Sequence, residues 1–186
     1  MTDTPLPALE LGHGPAIVEA FLEPTCPFSK RAFAKFQPFV DLIGPKNVTL
    51  KIRLHSQPWH LFSGVICRAI LAASSTGGGK AAALKAMAGI YERREDFEFT
   101  DHSHGPNMER TPGDIIRDIG AIVGADLFEP FKLKSVDKAF RWHIKYSRQN
   151  GIHVSPTFMI GGLVDGQMGS GQSIEEWAEL VKPHLA

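Results

Sequence analysis

The stretch AIVEAFLEPTCPFSK, residues 16–30, contains the patterns of a strand, a turn and a helix start in immediate succession. Its first seven residues are almost entirely apolar and suit a buried β-strand, which a Glu-Pro pair then ends. Proline is favoured at the first position of a helix, so Pro27 predicts a helix that begins directly after Cys26. Apolar residues three and four apart continue this amphipathic helix over residues 30–43, with Pro38 expected to kink or interrupt it.

A cysteine at the start of a helix has a particular chemistry. Unpaired backbone N–H groups and the helix dipole favour the thiolate there, which is the form that reacts with disulfides. Ser29 is expected to donate a hydrogen bond to the sulfur of Cys26. The alternative is a buried cysteine that packs as a small hydrophobic residue, the commoner fate of a free thiol. The strand, turn and Cys-Pro helix start together favour the reactive cysteine.

The rest of the chain alternates between strand and helix patterns. A second strand is expected over residues 47–54, where apolar and polar residues alternate. A block of four predicted helices follows, with Ser135 expected to cap the last, over residues 61–73, 81–93, 111–123 and 135–149. Two further strands flank a Gly-Gly turn, and a capping box at Ser173 begins a final helix.

Composition and charge exclude several classes of protein. The 186-residue chain has 20 basic and 20 acidic residues, so no net field attracts nucleic acid or an anionic membrane. Residues 1–15 lack the basic start and apolar core of a signal peptide, although a chain trimmed of its leader would look the same. Two cysteines do not resemble a secreted disulfide framework. The sequence therefore predicts a cytoplasmic protein without nucleic-acid or membrane partners.

A second motif, Val154-Ser-Pro-Thr-Phe158, lies before the predicted Gly161-Gly162 hairpin turn. Pro156 has two readings from sequence. It can occupy the first position of a strand, where a missing N–H is tolerated, or it can follow a cis peptide bond, which is rare and usually serves a purpose. The sequence leaves these alternatives open.

Together, Cys26-Pro27-Phe28-Ser29 and the proline motif resemble the active-site tetrapeptide and cis-proline loop of the DsbA-like family of thioredoxin-fold oxidoreductases. The resemblance covers about residue 17 to the C-terminus. It implies an α/β fold with a thioredoxin-like core, in which a central mixed sheet is flanked by helices, and an all-helical insertion after the second strand. One domain, residues 1–186, is then expected, with a core at about 16–57 and 151–186 and an insertion at about 58–150.

The resemblance also implies roles for the site residues. Cys26 is the expected nucleophile, and Pro27 and Phe28 are expected to contact the substrate beside it. Ser155 and Pro156 are expected to bind the substrate backbone across the active site. The partners implied are protein or small-molecule disulfides, and no bound cofactor is expected.

The chain departs from this family at Ser29, where the Cys-x-x-Cys motif has its second cysteine. That second thiol normally resolves the mixed disulfide internally. A monothiol can still exchange with glutathione, isomerise disulfides or be oxidised to a sulfenic acid. We therefore predict a monothiol thiol-disulfide oxidoreductase or isomerase, with catalytic residues Cys26, Ser29 and Pro156 and with glutathione as a co-substrate. Cys67, on a predicted insertion helix, is interpreted as a structural core residue.

Two other functions fit the same motifs. One is a glutathione-dependent isomerase or transferase similar to the kappa class, in which a serine commonly stands at the position of Cys26. The other is a peptide-binding module that has kept the proline groove and lost redox cycling, as the missing second cysteine suggests.

Several other polar residues are weighed without a firm role. Glu19, in the first strand, either handles protons near the thiol or points to solvent. His55, Trp59 and His60 either line a substrate groove or cap the core of the insertion, with the second slightly favoured. Two histidines in the polar loop at residues 101–104 are more often solvated than bound to a metal.

Overall fold

A five-stranded mixed sheet forms the centre of the computed structural model, which describes residues 4–98 and 106–185. The strand order is β1-β3-β2-β4-β5. The strands are β1 (Glu10–Gly12), β2 (Ala16–Leu22), β3 (Val48–Leu54), β4 (Thr157–Ile160) and β5 (Leu163–Asp165). The predicted α/β class with a central mixed sheet is therefore confirmed.

Strands β2 and β3 pair in parallel, and this dictates the segment between them. Parallel neighbours need a crossover connection, which here consists of α1 (Pro27–Phe33) and α2 (Phe36–Ile43). The single helix expected over 30–43 is thus two helices that meet at residues 34–35. Pro38 accounts for the break, because it has no N–H to bond to the carbonyl of Ala34 and its ring would clash with that carbonyl.

The sequence prediction missed β1. This edge strand has three residues, too few to show an alternating pattern, and pairs antiparallel with β3. Just before it, the carbonyl of Leu9 accepts a hydrogen bond from the Ile52 N–H at 2.7 Å. The insertion consequently follows the third strand of the chain, not the second as predicted.

Among the described residues, five α-helices lie between β3 and β4. They are α3 (Ser63–Ser74), α4 (Gly79–Glu92), α5 (Pro112–Val123), α6 (Phe128–Phe131) and α7 (Lys134–Gln149). The short α6 was not predicted. The predicted cap at Ser135 is wrong, because α7 begins one residue earlier, after Leu133, without a side-chain cap. The described helices include none with the length and apolar character needed to cross a membrane.

The last helix, α8 (Ile174–Val181), begins at the predicted capping box, in which Ser173 and Glu176 bond to each other's backbone N–H groups. The predicted hairpin before it is also present. Gly161 and Gly162 both have positive φ, as a two-residue turn between β4 and β5 requires.

Strand β2 separates two hydrophobic clusters because its side chains alternate between the faces of the sheet. Val18, Ala20 and Leu22 belong to the large core, which extends into the insertion. Phe21 belongs to a small cluster on the opposite face, where Tyr146 of α7 stacks on it at 5.9 Å between ring centroids. Both faces of β2 are thus covered, and the buried strand anchors residues 23–26, which follow it.

Candidate active site

Cys26 lies at the N-cap of α1, as predicted, with Pro27 as the first helical residue. Its carbonyl accepts the first helical hydrogen bond, from Lys30 N–H at 3.0 Å, and its own N–H donates to the carbonyl of Glu23 at 3.2 Å. The side chain is 6% exposed and reaches the wall of a surface cavity. The cysteine is therefore held firmly and is still open to a reactant.

The proline motif faces this thiol. The Ser155–Pro156 peptide bond is cis, and the Cys26 thiol donates a hydrogen bond to the carbonyl of Ser155, with 3.4 Å between sulfur and oxygen. Antiparallel pairing of β4 with β2 positions the two segments, because Thr157 lies opposite Phe21 in the register. Residues 129 positions apart in the sequence thus meet at one end of the sheet.

A cavity of about 540 Å³ lies beside the thiol. Its rim includes three apolar side chains that are about half exposed or more, namely Phe28 at 53%, Trp59 at 48% and Val154 at 63%. Its polar wall is formed by Gln57, His60, Arg94, Glu95 and Glu98. A molecule that binds in this cavity beside Cys26 therefore meets an apolar rim and a charged wall.

Trp59 and His60 accordingly line the groove, which was the less favoured of the two sequence interpretations. His55 does not line this cavity and is buried. Its pKa is lowered by burial and by the neighbouring charge of His153.

The expected hydrogen bond between Ser29 and the sulfur is not formed. The Ser29 hydroxyl is completely buried and has no hydrogen-bond partner among the described residues. As the third residue of α1, Ser29 lies on the face of the helix that packs into the core. The serine thus occupies the position of the second family cysteine without a hydrogen bond to the first.

A buried polar network adjoins the active-site turn, residues 23–26, and the sequence did not predict this network. The Glu23 carboxylate accepts hydrogen bonds from the N–H and the hydroxyl of Thr25, at 2.7 and 2.8 Å. The Thr25 hydroxyl also contacts Nδ1 of His60 at 2.8 Å, and that nitrogen lies 2.7 Å from the Glu98 carboxylate. Arg94 pairs with Glu98 and donates to the Thr25 carbonyl. Two residues of the insertion, His60 and Arg94, therefore bind Thr25, the residue before Cys26.

The charges of Glu23 and His60 act on each other. Burial raises the pKa of Glu23, an effect that the charge of His60 partly opposes. Burial alone would lower the pKa of His60, but its hydrogen bond to Glu98 and the charge of Glu23 raise it. Of these residues, the sequence singles out Glu23, in the Glu-Pro pair that ends the strand, and His60, as a possible groove residue. Arg94 and Glu98 carry no sequence signal, because their role depends on how the insertion packs.

Glu19 fits neither sequence interpretation. It is 5% exposed, and its carboxylate binds Arg53 at 2.5 Å and the Tyr146 hydroxyl at 2.9 Å. These partners place it against α7 on the face of the sheet that carries the small cluster. The buried carboxylate that binds Thr25, the residue before Cys26, is that of Glu23 instead.

Cys67 is completely buried in α3, which confirms that it is a core residue. Burial raises the pKa of its thiol well above the usual value, and the charge of Glu23 raises it further. Both cysteines are free thiols.

The histidine pair at residues 101–104 lies outside the described residues. Within the described parts of the chain, no group of three or more His, Cys, Asp or Glu side chains is arranged to hold a metal ion.

Comparisons with models of known protein families and with curated proteins find no match. Solved structures do match. The chain is 52% identical to a "putative protein-disulfide isomerase" from Pseudomonas syringae, with a TM-score of 0.91, and the match covers 94% of this chain and 97% of that one.

Two more distant structures share the fold. A thioredoxin-like oxidoreductase from Silicibacter pomeroyi is 22% identical over 95% of this chain and 91% of its own, with a TM-score of 0.69. The thiol-disulfide exchange protein alpha-DsbA2 from Wolbachia pipientis is 16% identical over 95% of this chain and 87% of its own, with a TM-score of 0.70. With the Cys-Pro helix start and the facing proline loop, these likenesses assign the chain to the DsbA-like family of thioredoxin-fold disulfide isomerases and thiol-disulfide oxidoreductases.

Proposed function

We propose that this protein catalyses thiol-disulfide exchange through Cys26 as its only active-site thiol, with glutathione as the second substrate. The observation that carries the proposal is the position of Cys26, at the wall of a surface cavity and facing the Ser155 carbonyl. Ser29 stands where a dithiol site has the cysteine that resolves mixed disulfides, and Cys67 is completely buried in the core.

The exchange has two steps. In the first, the Cys26 thiolate attacks one sulfur of a substrate disulfide, a new S–S bond forms, and the other substrate sulfur leaves as a thiolate. In the second, the thiolate of glutathione attacks the substrate sulfur of this mixed disulfide and releases Cys26. A second thiol of the same substrate can take the place of glutathione, and the reaction is then an isomerisation. Neither step needs an outside oxidant.

Ser155 and Pro156 support the first step by binding the substrate backbone. In the resting protein the Ser155 carbonyl accepts the thiol hydrogen of Cys26. Once the thiol has lost that hydrogen, this oxygen is available to accept an N–H of the substrate. The substrate chain is then aligned beside the loop while its sulfur is bonded to Cys26.

Release of glutathione from a glutathionylated peptide tests this proposal. We expect turnover that requires added glutathione, with one glutathionyl or peptidyl group trapped on Cys26 and detected by mass spectrometry. Cys26→Ala should reduce turnover to the uncatalysed rate, and Cys67→Ala should leave it unchanged. Full activity in Cys26→Ala would rule out the mechanism.

A second candidate is a redox-inactive module that binds extended peptides. The exposed side chains of Phe28, Trp59 and Val154 around the thiol favour it, since half-exposed apolar groups at a cavity rim suit peptide binding. Peptide binding that is equally strong in Cys26→Ala, together with no exchange by the wild type, would favour this function over the first.

A further inference from the structure

Helix α7 carries five exposed cationic side chains on one face. Their spacings of four, three, four and three residues keep them within an arc of about 80° around the helix axis. They are Lys134, Lys138, Arg141, Lys145 and Arg148, and we refer to them as the cationic stripe. The chain as a whole has equal numbers of basic and acidic residues, so the stripe is a local concentration of charge.

Helix stability does not account for the stripe. Like charges three or four residues apart repel each other on a helix surface, and Lys134 lies in the first turn, where the helix dipole disfavours a cation. The one acid of α7, Asp137, is bound by Arg68 at 3.1 Å and by Arg141 at 2.7 Å. Among the described residues, no carboxylate pairs with the other four cations of the stripe.

The stripe borders a groove of about 560 Å³ between α7 and α3. Phe140 and Ile144, both partly buried, contribute apolar surface to the groove. Its lining has one acid, Asp137, and four cations, namely Arg68, Arg141, Lys145 and Arg148. Apolar surface flanked by cations suits a polypeptide segment that carries carboxylates, since its backbone and apolar side chains can contact the groove.

The chain itself limits the distance from one end of the stripe to the thiol. Arg148 lies seven positions before Ser155, whose carbonyl contacts Cys26, so the backbones of Arg148 and Ser155 are at most about 25 Å apart. A substrate chain can therefore have its cysteine at Cys26 and, about eight extended residues away, a carboxylate at the stripe.

We propose that the cationic stripe docks acidic segments of protein substrates and so favours disulfides that have aspartate or glutamate clusters at this separation. This inference rests on the proposed exchange function, which supplies the substrate. Complementary charge acts mainly by accelerating association, and its effect falls as salt screens the charges.

Three synthetic peptides test the docking role. Each has one glutathionylated cysteine in the same local sequence and, about eight residues away, a block of glutamates, of serines or of lysines. The rate of mixed-disulfide formation at Cys26 is measured for each. At about 10 mM salt we expect the glutamate peptide to react about tenfold faster than the lysine peptide, and at about 150 mM salt the ratio should shrink markedly.

A triple variant and a matched control locate the effect. Combining Lys138→Gln, Lys145→Gln and Arg148→Gln removes three cations of the stripe and should bring the three peptide rates together. Combining Lys46→Gln, Lys51→Gln and Lys85→Gln removes the same charge elsewhere and should keep most of the difference between the peptides.

The outcomes separate this inference from the proposed function. Equal rates for the three peptides with the wild type would overturn the docking role and leave the exchange function in place. No reaction of Cys26 with any peptide would overturn both. Equal peptide rates together with stripe-dependent binding of a DNA duplex or of phosphatidylserine vesicles would assign the stripe to a different partner and overturn the docking role.

Discussion

The two cysteines of this chain have the same side chain in opposite surroundings. Cys26 begins a helix at the wall of a cavity, and its thiol faces a backbone carbonyl of the proline loop. Cys67 lies in the middle of α3 with no exposed surface, and its thiol pKa is raised well above the usual value. The fold thus places one thiol at the wall of a cavity and seals the other in the core, although the residue type is the same.

Glu23 links the two surroundings. It lies three residues before Cys26, and its charge also acts on Cys67. Its carboxylate holds Thr25, which in turn contacts His60 of the segment that leads into the insertion. Hydrogen bonds therefore connect the active-site turn to the helical block. A substitution in this network is expected to affect both regions.

The largest expected effect is on alkylation of the two thiols. In the folded protein, iodoacetamide should modify Cys26 at least about 1,000-fold faster than Cys67, because Cys67 becomes accessible only when the domain opens. Mass spectrometry of each cysteine peptide against time measures the ratio. In denaturant the two rates should become similar, and a small ratio in native buffer would contradict the described core.

Replacing each cysteine in turn by alanine should separate activity from stability. Cys26→Ala should abolish exchange and lower the free energy of unfolding by less than Cys67→Ala does, because the space it vacates opens onto the surface cavity. Cys67→Ala should retain activity and lose about 1 kcal/mol of stability, because it leaves a small void in the packed core. Denaturant unfolding and the peptide assay measure the two quantities. Loss of exchange in Cys67→Ala without unfolding would show that the core thiol takes part.

Glu23→Gln should change the pH dependence of stability. Because the pKa of Glu23 is raised in the folded state, its contribution to stability is complete below the unfolded value and is lost as pH rises through the folded value. The raised pKa of His60 acts in the same direction. The stability of Glu23→Gln relative to wild type should therefore increase as the pH rises above 4.5, the ordinary pKa of a glutamate. Glu92→Gln, at an exposed site on α4, is the control and should follow the wild type.

Ser29→Ala should have the smallest effect. The Ser29 hydroxyl makes no hydrogen bond to the sulfur or to other described residues, so its removal should alter the exchange rate by less than about twofold. The peptide assay at several pH values measures this. A large loss would mean that the hydroxyl turns toward the sulfur once the thiolate forms.

Much of the fold was predictable because its signals are local. The strand before Cys26, the Pro27 helix start, the Gly-Gly turn and the capping box at Ser173 each depend on residues close together in sequence, and the structure confirms all four. The misses have physical causes. Strand β1 is held by backbone pairing with β3, and the break at residues 34–35 depends on where Pro38 falls in the helix.

Neighbouring residues in the sequence are enough to predict the strand that ends before Cys26, the position of Cys26 at a helix start and the serine in place of a second active-site cysteine. Tertiary structure alone decided that Ser155 faces Cys26, that Ser29 turns into the core and that His60 and Glu98 reach the active-site turn. These contacts join segments far apart in the chain. They arise only when the sheet pairs and the insertion packs against it, and no local pattern encodes that packing.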